Sequence, residues 1–238
     1  MKKIVLIQSP SKYYGAVPIF YKEASKLGLF DKFYFATDDS SAEKLGDDCH
    51  IIKLKKDYQF GGNMLRALEY VEEELFIVCC EDHIMKKDNN IAVFDTCFDF
   101  FDTHKDAGYL RLTYHDKVQI KHKEKFISSL KKKYKYYISL QPSVWRKEYF
   151  YSTLKDREDA WAYEIKGAAR ARGNNKYRSY GVNERVFYNT NFYQKGKYYR
   201  RQYIDYALSN GLEVPKQFPV LYKGEILSVD QYIEKKGK

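Results

Sequence analysis

The apolar positions of the chain fall into short runs separated by helical spacing. Residues 3–9, KIVLIQS, form an apolar run that opens directly into the polar PSKYYG, the pattern of a strand ending at a loop. Residues 16–30 then place apolar side chains at 17, 20, 24 and 27, which predicts a helix stopped by Gly28. DKFYFATDD (31–39) predicts a second strand, HIIKLK (50–55) a third, and GNMLRALEYVEEE (62–74) a helix with Leu65, Leu68 and Val71 on one face. LFIVCC (75–80) is a fourth apolar strand, and it ends abruptly at Glu81, Asp82 and His83.

Beyond it, 90–104 reads as a helix and 107–114 as a strand, while 117–135 has little pattern, and the loop 115–135 is a candidate lid. Residues 136–154 read as a strand, a turn at Pro142 and a helix; 159–172 as a helix; 183–192 as a strand; and 198–212 as an amphipathic helix stopped by Gly211. Alternating strands and helices predict an α/β fold on a mainly parallel central sheet flanked by helices. One domain over 1–212 is expected, with 213–238 as a C-terminal tail packed on it or extending from it.

In parallel sheets ligands sit beyond the carboxyl ends of the strands, which gives weight to the polar residues there. They are Gln8 and Ser9, then Asp38 and Asp39, then Glu81 and Asp82. An unpaired carboxylate at the end of an apolar strand needs water, a partner or a cation. Glu81 and Asp82 therefore either cap a surface loop or bind a hard divalent cation such as Mn²⁺ or Mg²⁺, with His83 assisting or packing. Asp38 and Asp39 suit ribose hydroxyls or a base edge, and equally a helix cap. The two glycines of YQFGGNMLRAL offer a weak phosphate-facing helix start near Asn63, with Arg66 close behind. No G-x-G-x-x-G or P-loop pattern is present.

Composition sharpens this in three ways. The chain is 44% hydrophobic, enough for a sizeable core, and 17% aromatic, with 24 Tyr against 2 Trp, which supplies flat faces for sugars or bases as well as packing. The formal charge is +10, which favours anionic partners, although the lysines are scattered outside the run 121–137. The four cysteines lack metal-finger or disulfide spacing, and no apolar window approaches a membrane span, so a cytoplasmic protein, free or at a membrane surface, is expected.

The stretch SLQPSVWRKEYFYSTLKDREDAWAYEIKG adds Gln141, Trp145 and Trp161 as stacking or hydrogen-bonding groups. Glu158, Asp159 and Glu164 are its possible general bases. For both tryptophans a core position is the competing reading, and for the acids a helix surface. YQKGKYYRR (193–201) brings Lys195, Lys197, Arg200 and Arg201.

The order of IQSP, FATDD, FGGNMLRALEYVEEELFIVCCEDHIM, YYISLQPSVWRKEYF and EDAWAYEIKG resembles a group of small GT-A-type glycosyltransferases of bacteria and their viruses, over roughly residues 3–200. The resemblance implies a GT-A-like fold and transfer of a sugar from a nucleotide-diphosphate donor to a hydroxyl acceptor, of cell-surface or capsule-glycan type. It implies donor contacts at Gln8, Ser9, Asp38, Asp39, Asn63, Arg66, Glu81 and Asp82, with Asp82 and Glu81 toward Mn²⁺ or Mg²⁺. Gln141, Trp145 and Trp161 would face the acceptor, Glu164 or Asp159 would act as base, and Lys195 and Lys197 would neutralise the diphosphate. His83 stands where the usual motif has a second Asp, which leaves metal dependence open. Three other readings remain: a transferase acting on DNA, including modified DNA; a non-catalytic module that binds carbohydrate or nucleic acid; and a nucleotidyltransferase, which also places carboxylates at strand ends for metal but has no recognisable signature here.

Overall fold

The computed structural model describes residues 2–85, 91–114, 126–184, 186–187, 189–194 and 197–236. The candidate lid lies partly, and Lys195 wholly, outside them. The first strand, β1 (Ile4–Gln8), sets the architecture. Its four aliphatics are completely buried, and successive side chains point to opposite faces of the sheet. Ile4 and Leu6 enter one core while Val5 and Ile7 enter another.

The second of these cores is closed by helix α1 (Val17–Ser25), which follows a 3-10 turn, Ser11–Ala16. The helix ends where Gly28 takes φ +60°, a left-handed conformation cheap only for glycine. The chain continues through β2 (Lys32–Thr37) and β3 (Cys49–Lys53) to α2 (Gln59–Ala67), then β4 (Leu75–Val78) and β5 (His83–Met85). Next come α3 (Ile91–Thr103), β6 (Ala107–Arg111), β7 (Ile127–Ser129), β8 (Ser143–Arg146) and α4 (Lys147–Thr153). Helix α5 (Ala160–Gly173), β9 (Arg178–Val182) and β10 (Asn189–Asn191) complete the main body.

Eight strands form the central sheet in the order β3-β2-β1-β4-β8-β6-β9-β7. β1, β2, β3 and β4 are mutually parallel, β6 is parallel to β9, and β8 enters antiparallel between β4 and β6. Helices α1 and α3 cover one face; α2, α4 and α5 cover the other. This is a GT-A-like α/β architecture.

The segment expected as a tail, 213–238, carries structure of its own among its described residues and joins elements that precede it. β11 (Tyr193–Gln194) and β12 (Tyr198–Tyr199) precede α6 (Arg201–Ser209), and β13 (Val220–Tyr222), β14 (Glu225–Leu227) and α7 (Val229–Lys236) follow it. The four strands make a second sheet whose aromatic core includes Tyr193, Tyr199, Tyr203 and Phe218 and reaches Ala16 and Ile19 beside the first turn of α1. Residues after 212 thus complete a small subdomain against the main body.

One local expectation fails for packing reasons. Residues 136–141 form turns, because Tyr137, Ile138 and Leu140 plug the core without pairing. Of the strand expected over 183–192, the described residues form β10 at its end, and β9 stops before it at Val182.

The glycines in the first turn of α2 have a steric explanation. A Cβ on Gly61 would lie 2.1 Å from the Lys155 carbonyl oxygen, and the Gly61 N–H donates to the Glu158 carbonyl at 2.8 Å. Gly61 therefore lets the start of α2 touch the backbone before α5, and FGG is a packing motif here. Gly61→Ala should destabilise the fold by about 3 kcal/mol, since backbone cannot yield as a side-chain tip can. An unchanged urea midpoint would refute this account.

Candidate active site

A cavity of about 650 Å³ opens beyond the carboxyl ends of β1 and β4. Its floor is Gln8 and residues 79–83, where the apolar strand runs out at Val78 and the chain turns polar. Cys80, Asp82 and His83 bring one ligand atom each to within 4.8 Å of one another. The Cys80 N–H donates to His83 Nδ1 at 3.4 Å, and His83 Nε2 lies 3.7 Å from Asp82 Oδ1. Burial lowers the His83 pKa, against the opposing pull of Asp82, so the ring is held in the neutral form that ligates metals.

Glu81 is not part of that set. It is only 8% exposed, and burial, reinforced by Asp82, raises its pKa well above the carboxylate range. Cys80, Asp82 and His83 are the donors that the fold brings together, while the Glu81 carboxyl is buried next to them in the chain. Sulfur, nitrogen and oxygen donors together would suit a borderline cation such as Zn²⁺, whereas Mn²⁺ or Mg²⁺ would draw mainly on the Asp82 carboxylate.

Glu164, on the first turns of α5, lines the same cavity. Its Oε1 accepts the Leu140 N–H at 2.9 Å, and the Leu140 carbonyl in turn lies 3.9 Å from Cys80 Sγ. Leu140 therefore ties helix α5 to the strand-end cluster. Burial raises the Glu164 pKa; the Leu140 N–H and the charge of Arg111 oppose it. Arg111 is 3% exposed, with its guanidinium donating to Tyr109 Oη at 3.2 Å and to the Tyr136 carbonyl at 2.8 Å.

Other expected residues divide cleanly. Gln141 and Trp161 line the cavity, and Trp161 is 72% exposed on its rim. Trp145 is completely buried, 4.5 Å from the Tyr109 ring, which removes it from the acceptor side. Asp38 is on the wall, accepting from Ser11 N at 2.7 Å, whereas Asp39 folds back onto Ser41 in a local turn away from the cavity. Ser9 is fully buried, and among the described residues its hydroxyl has no partner. Asp159 lines the cavity but caps α5, accepting the Ala162 N–H at 2.7 Å, a duty that competes with proton transfer. Glu158 is committed to Arg170.

Asn63 and Arg66 do not reach the cavity lining. Asn63 is buried and braces residues 57 and 58, while Arg66 stacks 3.6 Å from the centre of the Tyr58 ring and pairs with Asp156. Lys197 is exposed and also off the wall. Among the described residues the lysine and arginine side chains on the lining are Lys12 and Arg200. Arg200 comes from the basic run read in the sequence; its Nε donates to the Tyr193 carbonyl at 3.0 Å. Lys12 and Tyr13 had no signal beyond following a strand end.

No protein-family model and no curated protein matches the chain. Solved structures do. S. aureus TarS 1–349 superposes with TM-score 0.55 at 13% identity, covering 79% of this chain and 60% of that one. The fold is shared while the sequence is not. The same TarS fragment in complex with UDP-GlcNAc gives TM-score 0.54 at 13% identity, covering 79% of this chain and 58% of the other. UTP-bound UGPase from Acinetobacter baumannii gives TM-score 0.57 at 12% identity, covering 91% of this chain and 96% of that one. The chain thus spans about 60% of the length of the TarS fragment. Among the described residues no helix is long and apolar enough to cross a membrane.

Proposed function

We propose that the protein is a glycosyltransferase that takes a sugar from a nucleotide-diphosphate donor and passes it to a hydroxyl acceptor. The observation that carries this reading is one cavity, at the carboxyl ends of parallel strands, with cation donors on its floor and a half-buried carboxylate held beside them. That a protein of the same fold binds UDP-GlcNAc supports it.

In this reading the nucleoside lies toward Gln8 and Asp38, and the diphosphate lies over Asp82 with Arg200 beside it. Cys80, Asp82 and His83 would hold a divalent cation, which supplies charge neutralisation for the departing diphosphate. Glu164 accepts the proton of the acceptor hydroxyl. That oxygen bonds to the anomeric carbon, and the bond to the diphosphate breaks with its electron pair leaving on phosphate, as in an inverting displacement. Leu140 holds one carboxylate oxygen, leaving the other to face the acceptor.

A second reading, nucleotidyl transfer from UTP to a sugar phosphate, is favoured by the near-complete overlap with UTP-bound UGPase. Products distinguish the two: a nucleoside diphosphate for the first, pyrophosphate for the second. The first test is thermal stabilisation by UDP-, GDP-, CMP- and dTDP-linked sugars with Mn²⁺, Zn²⁺, Mg²⁺ or chelator. A ligand bound only to the native state must raise Tm, by about 2.7 kcal/mol of stability at a hundred times Kd. One nucleotide should give a cation-dependent shift; silence across the whole panel would end the transferase proposal.

A further inference from the structure

The cavity has two chemically different walls. Lys12, Tyr13, Tyr193 and Arg200 belong to the side where the small subdomain meets the turn before α1. Tyr13 stacks on Phe218 at 5.6 Å with Lys12 over both rings, and Arg200 is fixed by Tyr193. The opposite wall is carried by α2 and α5, which pack on the other face of the sheet. It presents Asp57, Gln59, Gln141, Asp159, Trp161 and Glu164 and, among the described residues, no cationic side chain.

That second wall has the features of a sugar site. Trp161 offers an uncovered ring on the rim, a flat apolar surface for the C–H face of a pyranose. Around it stand carboxylates and amides, which accept hydrogen bonds from hydroxyls. Gln59 is held there at φ +66°, a conformation rare for a residue with a side chain, by the Asp57 carboxylate that accepts its N–H at 2.8 Å. Such a conformation persists only where the surroundings impose it, and at this position it sets a neutral amide on the rim.

We infer that this wall is an acceptor subsite for an uncharged, polyhydroxylated sugar, and that it selects against acceptors bearing carboxylate or phosphate next to the reacting hydroxyl. The +10 net charge of the chain points the other way, toward polyanions, but the charge that meets the acceptor is local. Arg111, the nearest buried cation, is already committed to Tyr109 and Tyr136. The assignment of this wall to the acceptor rests on the glycosyl-transfer reading; the sugar preference itself is readable without any donor.

The experiment is binding of the full chain, without nucleotide, to an immobilised panel of neutral hexosides and N-acetylhexosaminides and the uronic-acid and 6-phosphate forms of the same sugars. Neutral members should be retained at least tenfold more strongly than their acidic counterparts. Trp161→Ala should abolish retention while leaving any UDP-sugar thermal shift in place, and Gln59→Lys should move the preference toward the acidic forms. Retention of acidic forms over neutral ones, retention of none, or indifference to Trp161→Ala overturns the inference. If neutral sugars bind as expected but no nucleotide sugar is bound or turned over, the sugar site stands and the transferase reading is the part that fails.

Discussion

Glu164→Gln should cut turnover by about 10²- to 10⁴-fold while leaving the donor-dependent rise in Tm unchanged. Glutamine preserves the shape and can still accept the Leu140 N–H, so helix α5 and the 136–142 turns should hold their places. What it cannot do is take a proton. The pH dependence gives a second, independent readout. Burial raises the Glu164 carboxyl above the ordinary glutamate value, so the active carboxylate forms only at higher pH. Rate should therefore rise with pH through a midpoint above that of an exposed glutamate, and the limb should vanish in the variant. Stability moves the other way. The folded protein holds this proton more tightly than the unfolded chain, so the stabilisation is fully present below the unfolded pKa and is lost as pH rises to the folded one. Glutamine removes that slope. Turnover unchanged in Glu164→Gln would exclude it as the base and turn attention to Asp159, whose capping bond to Ala162 makes it the poorer candidate.

How much of this was legible in the sequence follows from what each signal measures. Apolar periodicity reports burial, so β1, β2 and β4, the positions of α1 and α3, and the polar strand ends could be read directly. It does not report pairing. Ile138 and Leu140 gave the pattern of a strand yet pack as turns, and nothing local indicates that β8 inserts antiparallel between β4 and β6. The same limit governs the two tryptophans: Trp145 and Trp161 look alike in sequence, and only the fold sends one to the core and the other to the rim. Cys80 was read as a buried strand thiol because the apolar run continues through it. The strand stops two residues earlier, which frees the thiol to turn toward His83. Lys12, Gln59 and Arg200 come from three separate elements, and their meeting on one cavity depends on packing that sequence spacing does not encode.

Asp82→Asn should remove the cation dependence of donor binding, and the identity of the preferred cation should follow Cys80. Asp82 is the carboxylate of the strand-end cluster that lies with Cys80 and His83, whereas burial, reinforced by Asp82, pushes the Glu81 carboxyl well above the usual carboxylate range. Amide for carboxylate keeps the size and removes the charge. Cation affinity should fall by more than the about 100-fold typical of disturbing a supporting contact, because a direct ligand is lost. Calorimetric titration of the protein with Mn²⁺ and Zn²⁺ measures this with no donor present. Cys80→Ser makes the separate test. Replacing sulfur by oxygen should leave Mn²⁺ and Mg²⁺ binding largely intact while weakening Zn²⁺, because thiolate is the soft donor of the set. The thiol is not ionised on its own account: burial pushes its pKa well up, with Asp82 and Glu81 adding to the effect, so a cation must displace its proton. Zn²⁺ binding by the wild type should accordingly release a proton and tighten with pH, and the serine variant should lose that pH dependence. If Zn²⁺ binds equally well to both proteins, Cys80 is a bystander and the site reduces to Asp82 and His83, two ligands of ordinary hardness that leave the choice of metal to the donor's phosphates.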